Sequence, residues 1–273
     1  MTARGLVSFV GAGPGAADLI TVRGAARLGT ADVVVWASSL VPAALLEHAR
    51  RGAVVHDSAG MTLEDVLGVY EAHPEDAVVR LHSGDPSLYG AVQEQIDWCL
   101  ERGRPVEIVP GVSSLGAAAA ACGRELTIPG LAQSVVVTRL ARRTAASMPP
   151  GEQIEAYAAT GCTMAVFLSA TQPDELRRRL LSPPSAYSVD TPTAVVVRAT
   201  WPDEQVRRGT VGSLADDIRA TGATTTVLVL VGAALAEAGR RSHLYSPEFA
   251  HGQRKRSRHG STQGRPVLRR RSR

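Results

Sequence analysis

The chain has 273 residues, 44% hydrophobic and 21% charged, with a formal net charge of +4. That length is comfortable for two domains, and that apolar content supports a sizeable core. The longest apolar run, residues 227–236, is far short of the about 20 residues that cross a bilayer. Three scattered cysteines, Cys99, Cys122 and Cys162, without a C-x-x-C pair argue against a disulfide framework or a zinc site.

The positive charge is local. Residues 251–273 hold nine of the 30 basic residues and none of the 26 acidic ones, which leaves the rest at 21 against 26, a balance of −5. So basic and apolar-poor a tail is expected to be solvated and disordered. Nucleic acid contact by the tail is the lesser reading, and membrane association is not expected. The N-terminus runs straight into a strand without a signal-peptide pattern, so a soluble cytoplasmic protein is expected.

In chain order, Leu6 to Val10 is a short apolar strand that feeds a glycine loop, Gly11 to Ala16. Thr21 is placed to cap a helix through Leu28. Residues 31–36 are continuous and apolar, which predicts a parallel strand buried on both faces. Pro42 to Arg50 reads as a helix and Val54-Val55 as a third strand. Thr62 to Asp65 opens a helix with capping-box character. Val78 and Val79 begin a strand that breaks at Ser83-Gly84-Asp85-Pro86, and Leu88 to Leu100 reads as a helix. Pro105 to Val109 is a strand, and Ala117 to Ala121 begins a small-residue helix able to approach a sheet or ligand closely. Strands alternating with helices imply βαβ units and a mostly parallel sheet.

A second series starts at residues 135–138. Glu152 to Thr160 and Asp174 to Leu181 read as helices, with a strand at 163–168 between them. Ala194 to Val197 is a strand, and Val206 to Thr210 is placed to pair with it across a Trp201-Pro202-Asp203-Glu204 turn. Ser213 to Ala220 is a helix and Thr226 to Val231 the last strand. The expected organisation is two α/β domains, 1–128 and 135–250, followed by the tail at 251–273.

Asp85 is the first candidate for chemistry, because open α/β sheets gather ligands at loops past the carboxyl ends of strands. The plainer reading is an Asp supporting a tight turn. Gly11-x-Gly13-x-x-Ala16 fits a dinucleotide fingerprint, but the second strand ends in Trp36-Ala37-Ser38 rather than in an acid, and Pro14 removes a backbone N–H. A nicotinamide oxidoreductase is therefore a minor reading.

Read whole, V-G-A-G-P-G-A-A-D-L-I-T-V-R-G resembles the first signature of the tetrapyrrole methylases, S-adenosylmethionine-dependent enzymes of corrin and sirohaem synthesis. Residues 79–86, V-R-L-H-S-G-D-P, resemble their second signature, and 109–114, V-P-G-V-S-S, their third. Residues 59–64, 125–129 and 199–204, with the region 244–252, look like the branch that methylates C-11 of precorrin-4 or its cobalt form. A methylase of another ring position, such as one acting on precorrin-2, is the alternative. The resemblance spans residues ~5–256 and departs from the common G-P-G-D at Ala16, which is left off the site.

The resemblance implies an α/β fold of two α/β domains, the class III methyltransferase type, with the active-site cleft between them and normally a homodimer. It implies binding of S-adenosyl-L-methionine, with S-adenosyl-L-homocysteine as product, by Pro14, Ser83, Gly84, Asp85, Leu88, Ser113 and Ser114 of the first domain. From the second domain it implies Leu168, Ala199 and Thr225 or Thr226. The donor's methyl is already activated, so the enzyme's task is to align it and exclude water, and no metal is needed. Asp85 is the candidate catalytic group, by binding the donor, handling a proton or orienting the substrate. His82 is read as structural rather than as a base. Tyr89 is read as packing on the sheet rather than lining the substrate side. The tetrapyrrole carries many carboxylates, for which Arg139, Arg142, Arg143 and Arg198 are candidate clamps.

Overall fold

A computed structural model describes residues 5–140, 148–236, 242–250 and 252. Among the described residues, ten strands form two five-stranded sheets. The first contains β1 (Val7–Gly11), β2 (Val33–Trp36), β3 (Val54–Asp57), β4 (Val78–His82) and β5 (Val106–Val109), in the order β3-β2-β4-β1-β5. All four of its pairings are parallel, as the continuous apolar strands require. Alternation along each strand splits the core. Val7, Phe9, Val33, Val35 and Val78 face one side, against α2 (Leu63–Ala72) and α3 (Gln93–Glu101). Val10, Val34, Val79 and Leu81 face the other, against Leu28 of α1 (Val22–Leu28) and Leu45.

The two expected caps form. Thr21 Oγ1 accepts from the Gly24 N–H at 3.1 Å, and Thr62 and Asp65 make a reciprocal capping box. Among the differences from expectation, two stand out. Residues Ala43–His48 wind as a 3₁₀ helix rather than an α-helix. The helix expected from Leu88 begins only at Gln93, because Tyr89 (φ 57°) and Ala91 (φ 48°) turn the backbone into the left-handed region first.

The second sheet contains β6 (Val135–Arg139), β7 (Thr163–Phe167), β8 (Pro192–Val197), β9 (Gln205–Thr210) and β10 (Val227–Val231), in the order β6-β7-β10-β8-β9. Only β6 and β7 are parallel; the other three pairings are antiparallel, including the β8–β9 hairpin. One face buries Met164, Val166, Val195 and Val229 against α5 (Ile154–Ala158), α6 (Pro173–Leu180) and α7 (Leu214–Ala220).

The other face receives α4 (Ser114–Ala121), the alanine helix that follows β5. Its Ala117 and Ala118 pack with Ala165, Ala194, Val196, Leu228 and Leu230, so a helix from the first half completes the core of the second. Small side chains on both partners permit that approach. Residues 122–126 reinforce it: the Cys122 carbonyl accepts from Arg208 at 2.5 Å and the Leu126 carbonyl from the Thr163 hydroxyl at 2.8 Å. No helix among the described residues is long and apolar enough to cross a membrane.

Candidate active site

The loops after β1, β4 and β5 converge at one end of the first sheet. Ala12 N–H donates to the His82 carbonyl at 2.7 Å, and Gly13 and Gly84 exchange backbone hydrogen bonds at 3.2 and 2.8 Å. Gly11 and Gly111 lie so close that a Cβ on either would overlap the other's backbone or the Gly84 carbonyl. The glycines that suggested a dinucleotide loop thus serve contacts between loops.

Asp85 secures this junction. One carboxylate oxygen accepts from the Gly111 N–H at 2.8 Å, and the other from the Ser87 N–H at 2.9 Å and from the Ser87 hydroxyl. Partial burial would raise its pKa, but these hydrogen bonds outweigh it and hold the carboxyl below its usual value.

His82 lies behind the junction, 7% exposed, with its ring 6.1 Å from that of Phe9. Its Nε2 finds no hydrogen-bond partner among the described residues. Burial, with the positive Arg80 adding to it, pushes its pKa down to about 3, so the ring is neutral at pH 7.

Between these loops and the second sheet lies a cavity of about 600 Å³. Six of the ten expected cofactor contacts line it: Pro14, Ser83, Ser114, Leu168, Ala199 and Thr226. Gly84, Asp85, Leu88 and Ser113 are not on its wall. Gly84 is engaged with Gly13, Asp85 with Ser87 and Gly111, and the Ser113 hydroxyl accepts from the Leu115 N–H at the start of α4. Asp85, the expected catalytic group, joins the loops that flank the cavity and is not part of its wall.

The wall also includes residues that the sequence did not single out, among them Leu40, Leu140, Phe167 and Gln172. Ser169 to Thr171, just past β7, line it too. Leu168 (φ 54°) and Thr226 (φ 57°) sit on the wall in the left-handed region, and Arg198 (φ 48°) and Thr200 (φ 70°) flank the wall residue Ala199. Such strain in non-glycine residues costs of order 1–3 kcal/mol each and gathers at functional sites.

Of the candidate clamps, Arg139 lines the cavity and is the only charged side chain that does so among the described residues. Arg142 and Arg143 lie outside the described residues, as does all of the basic tail except Gly252. Arg198 pairs instead with Asp203. The Tyr89 ring stands 5.2 Å from that of Phe167, so it packs across to the second sheet rather than on its own. The described residues hold no cluster of three or more His, Cys, Asp or Glu suited to a metal.

Two sheets enclosing a cavity walled by strand-end loops define an α/β enzyme of the cleft type. Residues 6–215 match the family described as Tetrapyrrole (Corrin/Porphyrin) Methylases, and the chain belongs to that family. It is 44% identical over 244 residues to a precorrin-4 C(11)-methyltransferase of Rhodococcus erythropolis, covering 88% of this chain and 96% of that one. It resembles the X-ray structure of a cobalamin biosynthetic enzyme, cobalt precorrin-4 methyltransferase, with TM-score 0.81 and 42% identity over 86% of this chain and 99% of that one. It also resembles a uroporphyrin-III C-methyltransferase from Thermus thermophilus complexed with S-adenosylhomocysteine, with TM-score 0.67 and 28% identity over 83% and 91% of the two chains.

Proposed function

We propose that this chain transfers a methyl group from S-adenosyl-L-methionine to C-11 of precorrin-4, or of its cobalt form, in cobalamin biosynthesis. The product would be precorrin-5 or cobalt-precorrin-5A. Likeness over nearly the full length to the Rhodococcus methyltransferase carries the reading.

The cavity suits such a donor. Apolar walls at Leu40, Leu140, Phe167, Val196 and Leu228 can receive a flat base, and the hydroxyls of Ser83, Ser114 and Thr226 can meet ribose and amino acid polar groups. Pro14, Leu168 and Ala199 complete the set proposed to hold it. When bound, the donor supplies an activated methyl on a positively charged sulfur. No carboxylate lines the cavity among the described residues.

Asp85 acts in this reading by fixing the Ser83–Ser87 and Gly111–Ser114 loops, so the enzyme works by alignment and exclusion of water. Arg139 receives a substrate carboxylate at the cavity. The division into domains at 1–128 and 135–250 belongs to the same proposal, as do a homodimer and a cytoplasmic location, which the family resemblance implies.

The test is incubation with precorrin-4 and isotopically labelled donor, with the methylated carbon located by NMR. Label at C-11 is expected. Label at another ring carbon would move the chain to a different branch, and no transfer would overturn the proposal.

A further inference from the structure

The loop that presents Pro14 to the cavity is held by the opposite sheet. The Trp201 indole Nε1–H donates to the Pro14 carbonyl at 2.9 Å, and the Ala16 N–H donates to Thr200 Oγ1 at 3.0 Å. Between them Gly15 packs against the indole so closely that a Cβ would overlap the ring. Three successive residues of the first half are thus fastened to two of the second.

Trp201 and Thr200 lie in the β8–β9 turn, which is braced from within. Glu204 accepts from the Thr200 N–H at 2.6 Å, and its own N–H donates to the Trp201 carbonyl at 3.0 Å. The Arg198 guanidinium lies 5.6 Å from the centre of the indole and pairs with Asp203. Thr200 is held at φ 70°, a conformation that a β-branched residue keeps only when its surroundings impose it. A turn fixed so fully is a rigid mount, and the loop it carries supplies a cavity residue. Neither Trp201 nor Thr200 lines the cavity, so neither acts by touching a ligand there.

We infer that Trp201 and Thr200 are positioning residues for the methyl donor, acting through Pro14 to set the cavity wall, so that donor binding depends on the fit of the two halves. This rests on the reading of the cavity as the donor site.

The experiment compares wild type with Trp201→Phe, which keeps an aromatic ring but removes the N–H together with the indole edge that meets Gly15. Calorimetric titration with S-adenosylhomocysteine, steady-state kinetics with the donor varied, and thermal melting are measured on the full chain. Loss of this hydrogen bond and of the contact with Gly15 is expected to weaken product binding and raise the donor KM roughly five- to tenfold, with kcat and Tm little changed. Gly15→Ala is expected to weaken binding in the wild type but much less in a Trp201→Ala background, where the overlap with the ring is gone and only Thr200 Oγ1, at 3.0 Å, still borders the methyl. Trp201→Phe with wild-type affinity and KM would overturn the inference, as would additive effects in the Gly15 and Trp201 cycle. Wild-type protein that does not bind S-adenosylhomocysteine would overturn the donor reading itself, and this inference with it.

Discussion

The Asp85 carboxylate accepts a hydrogen bond from the Gly111 backbone N–H at 2.8 Å, joining the loop after β4 to the loop after β5. Ser83 and Ser114, which line the cavity, belong to those two loops. Asp85→Ala should therefore lower stability by about 1–2 kcal/mol through unpaired loop donors. It should weaken S-adenosylhomocysteine binding more than it lowers kcat at saturating donor. A fall in kcat with donor affinity intact would return Asp85 to a direct part in the chemistry. The carboxyl's pKa is lowered in the fold, so its contribution is full above the unfolded value of 3.8 and is lost as pH falls through the lower folded value.

His82 makes a different prediction. Its pKa falls from 6.5 to about 3 on folding, so between those values the unfolded chain holds a proton that the folded chain lacks. Stability from this residue is complete above pH 6.5 and declines as pH drops towards 3, by up to about 1.4 kcal/mol per pH unit. His82→Leu should flatten that decline and leave turnover at neutral pH near wild type. Urea midpoints at pH 7, 5.5 and 4.5 measure it, and parallel pH profiles for the two proteins would refute it.

Arg139→Glu should raise the KM for the tetrapyrrole by about tenfold or more, the scale of one charge-assisted hydrogen bond, and leave S-adenosylhomocysteine affinity unchanged. The effect should shrink as salt is raised. Equal losses for donor and tetrapyrrole would remove Arg139 as a carboxylate clamp.

Leu168 is 63% exposed and left-handed, so it has little packing to lose and strain to release. Leu168→Gly should leave Tm unchanged or raise it, since about 1–2 kcal/mol of left-handed strain offsets the entropy cost of glycine. Donor binding should weaken. A marked drop in Tm would contradict the strain, and unchanged binding would contradict the placement of Leu168 on the donor's wall.

Local chemistry announces itself in this chain where one residue type has one job. Thr21 and Thr62 are legible as caps, and the valine runs of β2 and β4 as buried parallel strands. The β8–β9 hairpin is legible from its Trp-Pro-Asp-Glu turn. The delayed start of α3 was not, because Tyr89 and Ala91 are neither glycine nor asparagine, and nothing in their identity marks a left-handed backbone. The place of β10 between β7 and β8 depends on pairing over long sequence separations. The family signatures led to Pro14, Ser83 and Ser114, whereas Leu40 and Gln172 join the wall only through tertiary folding. Asp85 stands out in the sequence as a carboxylate in a Gly-Pro loop, but its partner at Gly111 lies 26 residues away and is a backbone group, which no side-chain pattern reveals.

The placement of α4 bears on how the chain is made. Its Ala117 and Ala118 are covered by Leu228 and Leu230 of β10, which leave the ribosome roughly 5–20 s later at ordinary rates of translation. The first sheet has all five strands by then, yet an apolar helix at its border still waits for its cover. That interval is when a nascent chain of this design most needs a chaperone.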